Sequence, residues 1–319
     1  MSGLLNNNKG LAQERPFPLK GIVSVLNTPF TKGDTIDHAA LKINVEEALR
    51  AGVAGILVPA MAAEVYRLSH SERLEMLTTV LETVGDKIPV IGGAGEQDLS
   101  KSKELLQAYM DIGCKNVLFQ IPFIEEQQFR KHFMELADLD PQMIMLQDWD
   151  ATGYGLSDEL IVDLFHKVTA FQCLKIETIP AGPKYSRILE LTQGKLNVSG
   201  GWAVTQMMEG LQRGVHAFMP TGMHFIYTAI YRMFAEGRIE EAEALFGKII
   251  PVLAFSNQHL DISIHFFKRL LYKQGIYNTP NVRNPILPFD AVHKKLADKH
   301  IDTIICLENQ LKAQNGNDH

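Results

Sequence analysis

From Gly21 to about residue 220, short apolar runs alternate with amphipathic stretches at a period of about 25 to 30 residues. That repetition restricts the fold more than any other feature, because it is the pattern of successive βα units around a parallel sheet. The apolar runs predict strands at 22–28, 55–60, 90–93, 116–121, 143–148, 173–177, 196–200 and 217–220. The stretches between them predict helices at 37–51, 71–84, 99–112, 125–137, 158–167, 184–191 and 204–213. About eight parallel strands close into a (β/α)8 TIM barrel. After Thr221 the alternation stops, and helical stretches at 239–255, 260–274 and 291–311 read as a C-terminal appendage. Between the last two, prolines at 280, 285 and 288 require an extended loop. The expected organisation is a leader at 1–16, a barrel at 17–235 and a helical appendage of the same domain at 236–319.

The leader is polar, with Asn6, Asn7 and Asn8, and does not have the charged-then-apolar form of a secretory signal. No apolar run reaches the ~18 residues a membrane span needs. The net charge is −6, and the lysines and arginines are scattered rather than gathered into a stripe that would neutralise phosphates, which argues against a nucleic-acid partner. Cys114, Cys173 and Cys306 lie far apart and lack metal-ligand spacing, so the expected compartment is the reducing cytoplasm.

Barrel enzymes carry their catalytic groups at the C-terminal ends of the strands. There, Lys175 and Glu177 stand two residues apart in an apolar strand, so both share one face and point into the barrel. Burial disfavours the charged ammonium, and a neutral amine is the nucleophile that attacks a ketone. A lysine that only pairs with Glu177 and does no chemistry fits the same pattern.

Several stretches, in the right order, resemble the dihydrodipicolinate synthase and N-acetylneuraminate lyase family of Schiff-base barrels. Thr28-Pro29-Phe30 ends the first strand, and Ala60-Met61-Ala62-Ala63-Glu64 stands where the family carries Gly-Thr-Thr-Gly-Glu. Leu68-Ser69, Glu72-Arg73, Gly93-Ala94-Gly95, Pro122, Thr152-Gly153, Lys175, Ser199-Gly200 and Val282-Arg283 with Pro285 follow. The likeness covers residues 21–288 and implies that Lys175 forms the Schiff base. The departures are Met61, Ala62, Ile124 and Leu146 where the synthase's hydroxyl relay is expected, and Ala151 where it carries an arginine. A synthase lacking both its proton shuttle and its carboxylate clamp is not expected. Gln147-Asp148 and Lys175-Ile176-Glu177-Thr178 are instead similar to the 2-keto-3-deoxy sugar acid dehydratases.

The resemblance therefore implies a lyase that holds a 2-oxo acid covalently on Lys175 and uses no other cofactor and no metal. Its products follow either from dehydration or from C3–C4 cleavage that releases pyruvate. Catalytic roles are expected for Lys175, Glu177 and Asp148, with Glu177 either the base or only the partner orienting Lys175. Substrate contacts are expected from the backbone N–H groups of Met61 and Ala62, and from Gln147, Gly200, Gly201 and Thr152. The family likeness also implies a homo-oligomer, tetramer or dimer. Tyr66, His70, Tyr154, Trp202 and His224 could also line the pocket wall, but each reads more readily as packing or a helix-start contact, and His216 reads as structural. Gly92-Gly93-Ala94-Gly95 lacks the spacing of a dinucleotide loop. Two rival classes stay open: a metal-dependent aldolase and a relative that binds a 2-oxo acid without turning it over.

Overall fold

In the computed structural model, residues 17–316 are described, except for the side chains of 202, 203 and 314–316; the expected leader at 1–16 lies outside the described residues. Eight parallel strands pair in sequence order and close on themselves. They are β1 (Gly21–Val25), β2 (Gly55–Leu57), β3 (Val90–Gly93), β4 (Asn116–Phe119), β5 (Met143–Asp150), β6 (Phe171–Thr178), β7 (Asn197–Gly200) and β8 (Ala217–Phe218). Around them run α1 (His38–Arg50), α2 (His70–Val84), α3 (Leu99–Asp111), α4 (Glu126–Ala137), α5 (Asp158–Lys167), α6 (Ala181–Leu191), α7 (Met207–Gln212) and α8 (His224–Ala235). The appendage is α9 (Ile239–Ser256), α10 (Leu260–Lys273) and α11 (Ala291–Gly316).

Two apolar layers follow from strand alternation. Val23, Val25, Leu57, Ile91, Leu118, Met143, Met145 and Cys173 fill the lumen in one cluster, together with Ala217 and Met219. The intervening residues, such as Ile22, Ile56, Ile144, Leu146, Leu174 and Ile176, face the helices and join the larger outer core. Asn197 closes the lower end, its side-chain amide donating to the Phe17 and Leu19 carbonyls at 2.9 and 2.8 Å.

Three local differences from the expected elements matter for the site. First, α8 completes the eighth βα unit, although no helix is expected there. Its run His224-Phe225-Ile226-Tyr227 with Ala229 and Ile230 is buried between the barrel and α9 and α11, and its polar stripe is narrow, chiefly Thr228 and Arg232 in an otherwise apolar stretch. Second, β1 ends at Val25 rather than at residue 28, because Asn27 and Thr28 turn to bond the Ala62 and Ala63 carbonyls, both at 2.6 Å. Third, the stretch after β7 begins as a 3₁₀ turn, Trp202–Gln206, before α7.

The proline-rich loop is extended, as its prolines require, and is fastened from both sides. Arg283 bonds Glu72 and Asp34 and lies 4.2 Å from the Phe30 ring centroid. That guanidinium holds the Glu72 carboxyl down at about 2. Glu64, buried and in the left-handed backbone region at φ 58°, accepts from Lys268 of α10 at 2.5 Å and from the Arg283 N–H at 2.8 Å. The appendage is thereby locked to the loop that follows β2.

Candidate active site

β5 and β6 are the two eight-residue strands, long enough to carry side chains up to the mouth of the barrel. Gln147 pairs in register with Lys175, and Trp149 with Glu177, so these four alternate residues face the lumen. Lys175 stands above the apolar floor that Met145 and Cys173 help to form, and its Nζ lies 3.2 Å from Glu177 Oε1. Both side chains are more than nine-tenths buried. The Gln147 amide nitrogen donates to the other Glu177 oxygen in a short hydrogen bond. Glu177 is thus oriented by two neighbours, and one of them is the lysine.

A cavity of about 70 Å³ borders this pair, room for several waters and so for a small acid. Met61, Ala62, Trp149, Gly201 and Val204 contribute to its wall. Met61 and Ala62 open the 3₁₀ turn Met61–Ala63, whose first N–H groups have no acceptor within the turn. Among the described residues neither N–H finds another acceptor, whereas the Ala63 N–H bonds the Ala60 carbonyl at 2.8 Å. Asn27, Thr28 and Glu64 hold this turn in place through the bonds described above. Gly201 is close-packed: a Cβ there would lie 2.0 Å from Glu177 Oε1 and 2.6 Å from Lys175 Cε.

The structure brings Lys175, Glu177, Gln147, Met61, Ala62 and Gly201 together and leaves Asp148, Gly200 and Thr152 apart. Asp148 points to the helix layer, where it pairs with Lys184 of α6 and accepts the Leu156 N–H at 2.9 Å. Burial pushes the Asp148 carboxyl up and the Lys184 ammonium down, each offset by the other. The reason for its misplacement is parity: Asp148 stands next to Gln147 and so faces the opposite way. The same rule moves Gly200 outward, against Tyr185 and Phe218, and leaves its neighbour Gly201 at the cavity. Thr152 is exposed in the loop after β5, where its N–H and hydroxyl both bond Asp150. Leu146, expected where the relay would stand, lies in the outer core, and from β5 it is Gln147 that faces the lysine. Ile124 is exposed on the loop before α4 and does not border the cavity.

Of the other candidates, Tyr154 donates to Asp158 in the first turn of α5. His224 is buried between Ser24 and Asn44, and burial holds it down at about 4. His216 accepts the Val198 N–H, a structural role. Tyr66 and His70 are exposed away from the cavity, and the Trp202 side chain lies outside the described residues. Sequence reasoning missed Trp149, which the alternation through Gln147 would have found. It also missed Thr221, Asn257 and Ser263, which line the same cavity from the end of β8 and from the appendage. Among the described residues no group of three or more His, Cys, Asp or Glu side chains is arranged to hold a metal ion, and no helix is long and apolar enough to cross a membrane.

Known proteins with this architecture are numerous. A 4-hydroxy-tetrahydrodipicolinate synthase of Methanococcoides burtonii is 27% identical over 302 residues, covering 91% of this chain and 99% of the relative. An uncharacterized DapA-like lyase of Pyrobaculum arsenaticum is 25% identical over 247 residues, 74% of this chain and 80% of its own. The crystal structure of dihydrodipicolinate synthase from Rhodopseudomonas palustris superimposes with a TM-score of 0.84 at 17% identity, over 91% of this chain and all of that one, which is a likeness of fold. The dihydrodipicolinate synthetase family model matches residues 18–304, from just before β1 into α11, and the chain therefore belongs to that family.

Proposed function

We propose that the protein is a Schiff-base lyase of 2-oxo acids and that its reaction is the dehydration of a 2-keto-3-deoxy sugar acid. The observation that carries this reading is the Lys175–Glu177 pair, 3.2 Å apart on a cavity at the mouth of the barrel beside two unused backbone N–H groups. The substrate carboxylate lies against the Met61 and Ala62 N–H groups, which need no side chain to donate. Proton transfer from the lysine to Glu177 frees the amine, which attacks the C2 carbonyl; loss of water leaves the iminium. Glu177 then removes a C3 proton, the resulting enamine expels the C4 hydroxyl, and Glu177 returns the proton so that water leaves. Loss of a C5 proton and addition of a proton at C3 convert the conjugated iminium to the enol of its aldehyde tautomer, and hydrolysis then releases 2-oxoglutarate semialdehyde and regenerates Lys175. Gln147 holds the carboxylate in line but has no proton to exchange, so the acid–base work falls to Glu177.

The synthase reaction named for the relative from M. burtonii is the second reading. Its weakness is that Gln147 and Ala62 stand where a hydroxyl relay would be needed. Retro-aldol release of pyruvate starts from the same iminium and is the closest chemical alternative. Under this proposal the enzyme carries no cofactor beyond the covalent adduct and assembles as a homo-oligomer. The test is incubation with pyruvate and with 2-keto-3-deoxyarabonate under borohydride, followed by mass spectrometry of the peptide containing Lys175. A reduced adduct on Lys175, together with 2-oxoglutarate semialdehyde as the product of a parallel incubation without borohydride, supports the dehydratase. Free pyruvate as the product supports the aldolase, and absence of an adduct with either acid overturns the Schiff-base reading.

A further inference from the structure

Part of the cavity wall is not barrel at all. α9 ends and α10 begins directly over the mouth, and Leu253, Asn257, Leu260, Ser263 and Phe267 line the cavity that holds Lys175. This roof is fixed rather than loosely laid on. Lys268, little more than one turn beyond Ser263, is fully buried in its ion pair with Glu64, and Arg67 reaches Asp261 of the first turn of α10 at 3.5 Å. Both anchors run to the loop whose N–H groups face the cavity, so α10 and that loop hold a constant spacing.

The roof and the end of β8 bring three polar side chains to an otherwise largely apolar wall. Ser263 is only 8% exposed, yet its hydroxyl makes no hydrogen bond among the described residues. Asn257 uses its carbonyl oxygen to accept from Ser256 at 3.2 Å, and its amide nitrogen has no partner among the described residues. The Thr221 hydroxyl is likewise unused there. Thr221 and Asn257 are half-buried and Ser263 is nearly buried, and polar groups with spare hydrogen-bonding capacity at a cavity wall are suited to a ligand's polar groups.

We infer that the C-terminal appendage reads the tail of the substrate: Ser263 and Asn257, with Thr221, hydrogen-bond hydroxyl groups beyond C3 of a polyhydroxylated 2-oxo acid. This rests on the Schiff-base reading above, and it assigns selectivity for hydroxylated chains to helices outside the barrel. A site built to bond a hydroxyl discriminates against the analogue that lacks it, because its polar groups are then left unpaired. Pyruvate, which has no tail, does not use these groups.

The experiment measures borohydride trapping rates at rising concentrations of 2-keto-3-deoxyarabonate and of 2-oxopentanoate, a five-carbon acid without the hydroxyls. The ratio of the two half-saturation concentrations is the readout. It is compared between the parent protein and Ser263→Ala, Asn257→Ala and Thr221→Val, near-isosteric or smaller changes that leave the fold room to form. The expected result is a preference for the hydroxylated acid in the parent that falls about tenfold in Ser263→Ala, the loss of one hydrogen bond. A merely structural role would move both half-saturation values together and leave the ratio unchanged, and that outcome overturns the inference. A ratio indifferent to all three changes but lowered by Gln120→Leu overturns it too, by assigning the tail to the neighbouring basin of about 420 Å³ beyond Trp149. If the parent traps no adduct with pyruvate, the Schiff-base reading itself fails, which is distinguishable from trapping with an unchanged ratio.

Discussion

Two buried lysine–carboxylate pairs lie on opposite sides of the sheet, Lys175–Glu177 of β6 toward the lumen and Asp148 of β5 with Lys184 of α6 toward the helices, and they differ in what surrounds the ammonium. Lys184 donates to the Tyr154 and Leu156 carbonyls, both at 2.6 Å, pairs with Asp148, and lies 4.5 Å from the Tyr154 ring centroid. All three of its protons are used, and the pair ties α6 to the loop after β5. Lys175 meets one carboxylate oxygen at 3.2 Å and otherwise faces a cavity. Burial of a lysine is therefore not what marks it for chemistry. An amine becomes a nucleophile where its partner can take a proton and its lone pair has room to meet a carbonyl.

The sharpest break of this comparison is replacement of each lysine in turn. Lys175→Ala removes all borohydride-trappable adduct, and because Glu177 keeps its Gln147 hydrogen bond and borders the cavity, the loss of stability is smaller than for Lys184→Met. Lys184→Met leaves Asp148 buried without its counter-charge and lowers stability by about 3–5 kcal/mol, read by denaturant unfolding, while adduct formation on Lys175 persists in the folded fraction. If Lys184→Met abolished trapping in folded protein, the division between a chemical and a structural pair would be wrong.

Next in size is Glu177→Gln, which removes the proton acceptor but keeps the shape. Turnover falls by about 10² to 10⁴, the usual contribution of a general acid–base, while the pyruvate adduct still forms. Equal losses of trapping and turnover would make Glu177 only the partner of Lys175.

Adjacent glycines give a finer version of the same test. Gly201→Ala directs a methyl group at Glu177 and Lys175, 2.0 Å from Glu177 Oε1, so trapping is lost in the protein that folds. Gly200→Ala directs it at the Tyr185 hydroxyl, 2.6 Å away, and lowers stability by about 1–3 kcal/mol through overpacking. Exchange of these outcomes would reverse the facing assigned to the end of β7.

A further test concerns a buried carboxylate that has no ion pair among the described residues. Glu308 of α11 accepts from Gln274 at 2.6 Å, and burial raises it to about 7. Between about pH 4.5 and 7 the folded protein holds a proton there that the unfolded chain releases, so stability falls as pH rises through that window. Glu308→Gln removes this fall: the melting temperature rises relative to the parent at pH 8 and changes little at pH 4.5. A uniform shift at both values would mean that lost packing, and not charge, decides.

How far the sequence could be read depended on whether a residue's role is local. Lys175 and Glu177 were legible because strand alternation places both on one face, and the order of short matching stretches singled out their strand. Asp148 was misread because a carboxylate beside a strand end looks the same from either side of the sheet; only the pairing of Gln147 with Lys175 reveals that it faces the helices. The helix α8 escaped notice because its polar stripe is narrow, chiefly Thr228 and Arg232, so its period stands out little from an apolar stretch.

By itself, the sequence determined the barrel, its eight strands, the extended proline loop and a lysine turned into the lumen, since each follows from patterns that repeat over neighbouring residues. Only the tertiary structure decided what closes over that lysine. Glu64 and Lys268 are 204 residues apart, yet their buried pair brings Ser263 and Asn257 of the appendage to the Lys175 cavity. No periodicity connects such positions, because the contact is made by chain closure and by the burial of charge, neither of which leaves a local trace.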